Sequence, residues 1–155
     1  MILGSDGSGV ITQIGDDVTQ FQVGDNVCIQ PLIYCGHCHF CSRGQENYCD
    51  TLGILGETQD GTYCDYIAVP EGNVRLKPEH ISFEEAAAFP LTSQTVYAML
   101  INRTKIKPGE TVLVWGAKSG VGTMAIQIAK IKGCRVIATG STEKKRIHAL
   151  SLIHI

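Results

Sequence analysis

Between residues 111 and 139 the hydrophobic pattern changes period twice. Thr111-Val112-Leu113-Val114-Trp115 is β-branched and apolar, which predicts a buried strand. Val121, Met124, Ala125 and Ile128 then fall at i, i+3, i+4 and i+7, with Thr123, Gln127 and Lys130 on the opposite face. That spacing predicts an amphipathic helix, and Gly133 supplies its stop. Arg135-Val136-Ile137-Ala138-Thr139 predicts a second strand of the same kind. The first half reads differently: short apolar runs such as Val27-Cys28-Ile29 are separated by Gly-Asp and Pro-Glu turns, a pattern of short strands. Between the halves, Ser82-Phe83-Glu84-Glu85 has the form of a capping box that opens a helix. The expected boundary lies near residue 90, giving a β-rich domain over 1–90 and the start of an α/β domain over 91–155.

The strand at 111 runs straight into Gly116-Ala117-Lys118-Ser119-Gly120-Val121-Gly122. Strand, glycine turn, helix and strand make a βαβ unit, whose first turn is where a dinucleotide pyrophosphate meets the N–H groups of a helix N-terminus. Glycine is needed there because a side chain would hold the phosphates away. The spacing is not G-x-G-x-x-G, and glycine also serves simply to pack a helix on a strand. The candidate contacts in the turn are Gly116, Ala117, Ser119, Gly120, Val121 and Gly122. An NAD site usually places Asp or Glu after the second strand, for the ribose 2′-OH. Here that strand runs into Gly140-Ser141-Thr142-Glu143-Lys144-Lys145-Arg146. Ser141, Thr142 and Lys145 suit a 2′-phosphate, so NADP is expected over NAD; the alternative is that the cations form a solvated helix face.

Cys35, Cys38, Cys41 and Cys49 follow the pattern C-x2-C-x2-C-x7-C. Close cysteine pairs let a short loop wrap one tetrahedral zinc, and four protein ligands leave no position for water or substrate. The expected metal is therefore one structural zinc. Disulfides and unpaired thiols are the alternatives. The count of seven cysteines is odd, and Met1-Ile2-Leu3-Gly4-Ser5-Asp6 has no secretory character, so reduced thiols are expected. His37 and His39 are read as loop surface residues, and Cys28, Cys64 and Cys134 as small buried hydrophobes.

Composition narrows the partners. The net charge of −2, with scattered lysines, offers no basic face for nucleic acid, which is the competing use of a four-cysteine cluster. No apolar run approaches the ~20 residues needed to span a bilayer. The expectation is a soluble, cytoplasmic protein acting on a small molecule, with neither nucleic acid nor membrane as partner.

Taken together these features resemble the medium-chain dehydrogenase/reductase superfamily, the zinc-type alcohol dehydrogenases and quinone oxidoreductases. The resemblance rests on Leu3-Gly4-Ser5-Asp6-Gly7-Ser8-Gly9-Val10, Phe21-x-x-Gly24-Asp25-x-Val27, the cysteine run with Gly44 and Asn47, Gly61-Thr62-Tyr63-x-x-Tyr66, Glu84-Glu85-Ala86-Ala87, Thr95-x-Tyr97 and the glycine turn. It implies a GroES-like, partly open β-barrel with a zinc lobe at 35–49, followed by the first part of a Rossmann doubly wound parallel sheet. It adds Thr95 to the cofactor contacts and implies a homo-oligomer. Two positions depart from the zinc-dependent pattern: Ser5 stands where those members carry histidine, and Leu91 where they carry cysteine. Loss of two ligands of three implies the zinc-independent branch, with hydride passing between nicotinamide and a carbonyl, enone or quinone (or alcohol) substrate. No catalytic residue is assigned. Family members extend before Leu3 and well beyond Lys145, and Ser151-Leu152-Ile153-His154-Ile155 leaves their pattern, so an internal fragment is expected. A zinc-dependent alcohol dehydrogenase and a non-catalytic zinc-binding fragment remain the alternatives.

Overall fold

In the computed structural model, which describes residues 1–153, the short apolar runs of the first half pair antiparallel. Strands β1 (Gly7–Val10) and β2 (Asn26–Ile29) align Gly7 with Ile29 and Val10 with Asn26. Strands β3 (Leu32–Ile33) and β4 (Gly53–Ile54) form a separate pair whose intervening loop carries the four cysteines. Strand β5 (Val74–Leu76) closes the first sheet on β2, in the order β1-β2-β5. Asn73, buried just before β5, holds these pieces together. Its Nδ2 donates to Gln30 O, Gln30 Oε1 and Leu32 O at 2.6–2.8 Å, and its carbonyl accepts from Gln30 N at 2.8 Å. A buried amide whose NH2 group lies among acceptors on both sides of the β2–β3 connection fixes the path from β2 into β3.

Helix α1 (Phe83–Tyr97) opens as the capping pattern predicts. Ser82 N donates to Glu85 Oε2 at 2.9 Å and Glu85 N donates to Ser82 Oγ at 3.2 Å. The chain divides into two compact units, Met1–Leu91 and Thr92–Ile155.

In the second unit β6 (Thr111–Val114), α2 (Gly120–Ile131) and β7 (Arg135–Ala138) make the expected βαβ unit, with β6 and β7 parallel and Val112 opposite Val136. Helix α3 (Glu143–Ile153) follows. Val112, Val114, Val136 and Ala138 face α2 and α3 around a core of Val96, Val114, Ala117, Ala125, Ile126 and Ala149.

Three expectations are corrected. The strand at 111 is buried on one face only: Leu113 is 61% and Trp115 83% exposed, because among the described residues both helices lie on the other face. The buried stripe of α2 is Gly122, Ala125, Ile126 and Ala129, one position on from the predicted 121/124/125/128 stripe, since small residues admit the closest approach of helix to sheet. Cys64 is exposed, its thiol turned to Gly61 O at 3.4 Å, whereas Cys134 is buried and Cys28 half-buried. His154 and Ile155, the end of the segment expected to leave the family pattern, lie outside the described residues.

Candidate metal centre and cofactor cleft

The loop between β3 and β4 turns back on itself at Gly36 and Gly44, whose φ values of 77° and 68° lie in the left-handed region that glycine enters without strain. Cys35 and Cys38 flank the first turn. Cys41 begins a 3-10 turn (Cys41–Arg43), and Cys49 ends another (Glu46–Tyr48). These devices bring the four sulfurs within 4.8 Å of one another. Cys35 Sγ lies 4.0 Å from Cys41 Sγ and 3.7 Å from Cys49 Sγ. Thiolates 2.3 Å from a tetrahedral zinc lie about 3.8 Å apart, so the donor set fits that ion.

Backbone N–H groups reach two of the sulfurs. Cys38 N donates to Cys35 Sγ at 3.3 Å and Cys35 N to Cys49 Sγ at 3.4 Å. The Cys35 N–H holds the Cys49 thiol down to about 6, with help from Thr51, while burial pushes Cys41 up to about 12. His37 and His39 are exposed, and His37 Nδ1 is engaged with Cys35 O at 2.8 Å. Neither belongs to the sulfur cluster.

In the second unit an open cleft of about 760 Å³ is lined by Trp115, Gly116, Ala117, Lys118, Ser119, Thr139, Gly140, Ser141 and Lys145. It joins the glycine turn to the segment after β7, so Gly116, Ala117, Ser119, Ser141 and Lys145 share one surface. Ser119 caps α2, its Oγ accepting from Gly122 N at 3.0 Å. Gly116 N and Ala117 N are tied to Thr139, and Ser119 N to Gly116 O. The N–H groups of Lys118, Gly120 and Val121 have no hydrogen-bond partner among the described residues, the arrangement an anion at a helix N-terminus requires.

The other predicted contacts do not line this cleft. A Cβ on Gly122 would sit 2.5 Å from Gly116 O, so Gly122 lets the turn close, and Gly120 lies against Thr92. Thr142 caps α3, Oγ1 accepting from Lys145 N at 3.3 Å, and Thr95 lies in α1. Sequence reasoning missed Trp115, Lys118, Thr139 and Gly140. The signal for Trp115 was present, since it directly precedes the glycine turn, but its place in an apolar run reads as buried.

In the first unit Ser5 is committed to structure: its Oγ donates to Leu55 O at 2.7 Å. The segment around it is pinned by Gly61 N to Ile2 O, Thr62 N to Gly4 O and Tyr63 N to Leu3 O, all at 2.8–2.9 Å.

The family model of the alcohol dehydrogenase GroES-like domain matches residues 1–79. The chain belongs to that family, within the medium-chain dehydrogenase/reductases. Among curated relatives, the crotonyl-CoA carboxylase/reductase of Cereibacter sphaeroides is 38% identical over 97% of this chain and 36% of its own length. An alcohol dehydrogenase of Geobacillus stearothermophilus is 40% identical over 94% of this chain and 43% of its own. Among solved structures, an NAD-dependent alcohol dehydrogenase is 48% identical, with a TM-score of 0.95 over 97% of this chain and 44% of that chain. The chain thus spans about two-fifths of the length of these relatives. The GroES-like fold with a cysteine lobe, followed by parallel strands with helices, is the architecture the family resemblance implied. No helix among the described residues is long and apolar enough to cross a membrane.

Proposed function

We propose that this chain is part of an NADPH-dependent medium-chain oxidoreductase that moves a hydride between nicotinamide and a carbonyl, enone or quinone substrate without a catalytic zinc. The observation that carries the reading is the single cleft joining the Gly116–Ser119 turn to Ser141 and Lys145. In this account the N–H groups of Lys118, Gly120 and Val121 hold the pyrophosphate, Gly116 and Ala117 line its approach, and Gly122 lets the turn close. Ser141 and Lys145, which line the cleft, meet the 2′-phosphate, and Thr142 caps the helix that carries Lys145. A bound NADPH would supply the hydride.

Cys35, Cys38, Cys41 and Cys49 hold one zinc that fixes the fold of the 35–49 lobe and takes no part in the reaction. Ser5 gives its hydroxyl to Leu55 O and Leu91 is an aliphatic side chain, so two positions that bind metal in zinc-dependent members offer no ligand here. Polarisation of the substrate then falls to hydrogen bonds. The similarity to a crotonyl-CoA carboxylase/reductase supports an activated alkene or carbonyl as acceptor. The similarity to alcohol dehydrogenases favours a second reading, zinc-dependent oxidation of an alcohol.

The test is an assay of the whole protein with NADPH and NADH against an enone, a quinone, an aldehyde and an alcohol with NADP. Oxidation of NADPH by the enone or quinone after dialysis against a chelator supports the first reading. Turnover of the alcohol alone, lost on chelation, supports the second.

A further inference from the structure

Cys49 Sγ has a neighbour that the cysteine spacing does not reveal: Thr51 Oγ1, at 3.6 Å. Thr51 lies in the turn closed by Leu52 N donating to Cys49 O at 3.1 Å, which folds its side chain back toward the sulfur two residues earlier. A zinc-bound cysteine has no S–H, so within this pair the hydroxyl must be the donor.

Four thiolates around one Zn²⁺ carry a net charge of about −2, which surrounding donors must offset. The loop offers little full positive charge: residues 35–52 contain one lysine or arginine, Arg43, against the acids Glu46 and Asp50. Hydrogen bonds therefore carry the compensation. The backbone supplies Cys38 N to Cys35 Sγ and Cys35 N to Cys49 Sγ, and Thr51 adds a side-chain hydroxyl on Cys49.

We propose that Thr51 is a positioning residue of the metal centre, whose hydroxyl donates to Cys49 Sγ, fixes that ligand's orientation and damps its nucleophilicity. The proposal rests on the structural-zinc reading above. A sulfur lone pair engaged by an O–H is less available to an electrophile, so the hydroxyl protects the centre against ligand alkylation and the zinc loss that follows.

The experiment compares the wild-type whole protein with Thr51→Val and Thr51→Ala, which remove the hydroxyl with and without its isosteric replacement, and with Thr51→Ser, which keeps it. Three quantities are read: zinc per chain, the rate at which iodoacetamide drives zinc onto a chromogenic chelator, and the sulfur-to-cobalt charge-transfer band of the Co²⁺-substituted protein. Wild type and Thr51→Ser should hold zinc and release it slowly. Thr51→Val and Thr51→Ala should release it roughly tenfold faster, with the band moved to lower energy. Wild type without zinc would overturn the structural-zinc reading and this proposal with it. Wild type with zinc, and variants indistinguishable from it in both rate and band, would overturn the role of Thr51 alone. Thr51→Ser behaving like Thr51→Val would show that the methyl group, not the hydroxyl, is what matters, and would equally overturn it.

Discussion

Lys145 Nζ lies 3.1 Å from Ser141 Oγ, so the cation of the first turn of α3 and the hydroxyl just after β7 meet at the edge of the cleft that opens on the glycine turn. An adenosine 2′-phosphate placed between them would gain a hydroxyl donor and an ion pair with the ammonium, while the uncharged 2′-OH of a bare ribose would gain no ion pair. Replacing Lys145 with Glu is expected to weaken NADPH binding by roughly tenfold or more, at about 1.4 kcal/mol per decade, and to leave NADH nearly unchanged. Titrating both cofactors into wild type and variant decides it. Equal affinities in the wild type, or equal losses in the variant, would make Lys144, Lys145 and Arg146 an ordinary solvated helix face.

The Cys41→Ser variant removes one of the two buried donors in the zinc loop, the other being Cys49. Structural zinc contributes on the order of 10 kcal/mol to the folding of small zinc peptides, so the variant should lose its zinc and unfold at lower temperature. Metal analysis and thermal unfolding check this together. Unchanged zinc would show that Cys41 is not a ligand.

Gly122 and Gly9 give a contrast in packing. A Cβ at Gly122 would come within 2.5 Å of the Gly116 carbonyl, a backbone atom that cannot swing aside, whereas one at Gly9 would meet nothing within 4 Å. Gly122→Ala is expected to destabilise by about 1–3 kcal/mol in denaturant unfolding. Gly9→Ala should stay within about 0.5 kcal/mol of wild type. Similar costs at both positions would mean that the turn relaxes freely.

The cap of α2 gives a further check. Ser119 Oγ accepts from Gly122 N, so Ser119→Ala should cost about 1 kcal/mol of stability. A stability equal to wild type would mean that water satisfies Gly122 N as well as the serine does.

How far the sequence was legible follows from the range of each interaction. The βαβ unit was readable because its signals are local: an apolar run, a glycine turn, a helical stripe and a stop at Gly133, all within a single stretch. The cysteine cluster was readable for the same reason, since the ligand spacing lies inside one loop. What failed depended on neighbours distant in sequence. Leu113 and Trp115 look like core residues, but whether a strand is buried on one face or two is decided by what packs on it. The stripe of α2 moved by one position because Gly122, Ala125 and Ala129 were chosen by the space between helix and sheet, and periodicity of large side chains does not report that space. Cys64 looked like a small buried hydrophobe, yet Gly61–Asp65 forms no strand and leaves it exposed. The commitment of Ser5 Oγ to Leu55 O, fifty residues away, leaves no mark in either segment.

The central claim, hydride transfer without a catalytic zinc, is tested most directly by the zinc content of the purified, active whole protein. The account predicts one zinc per chain, held by the four cysteines, with NADPH-dependent turnover intact. Two zinc ions per chain, with turnover lost when the more labile one is removed, would contradict it.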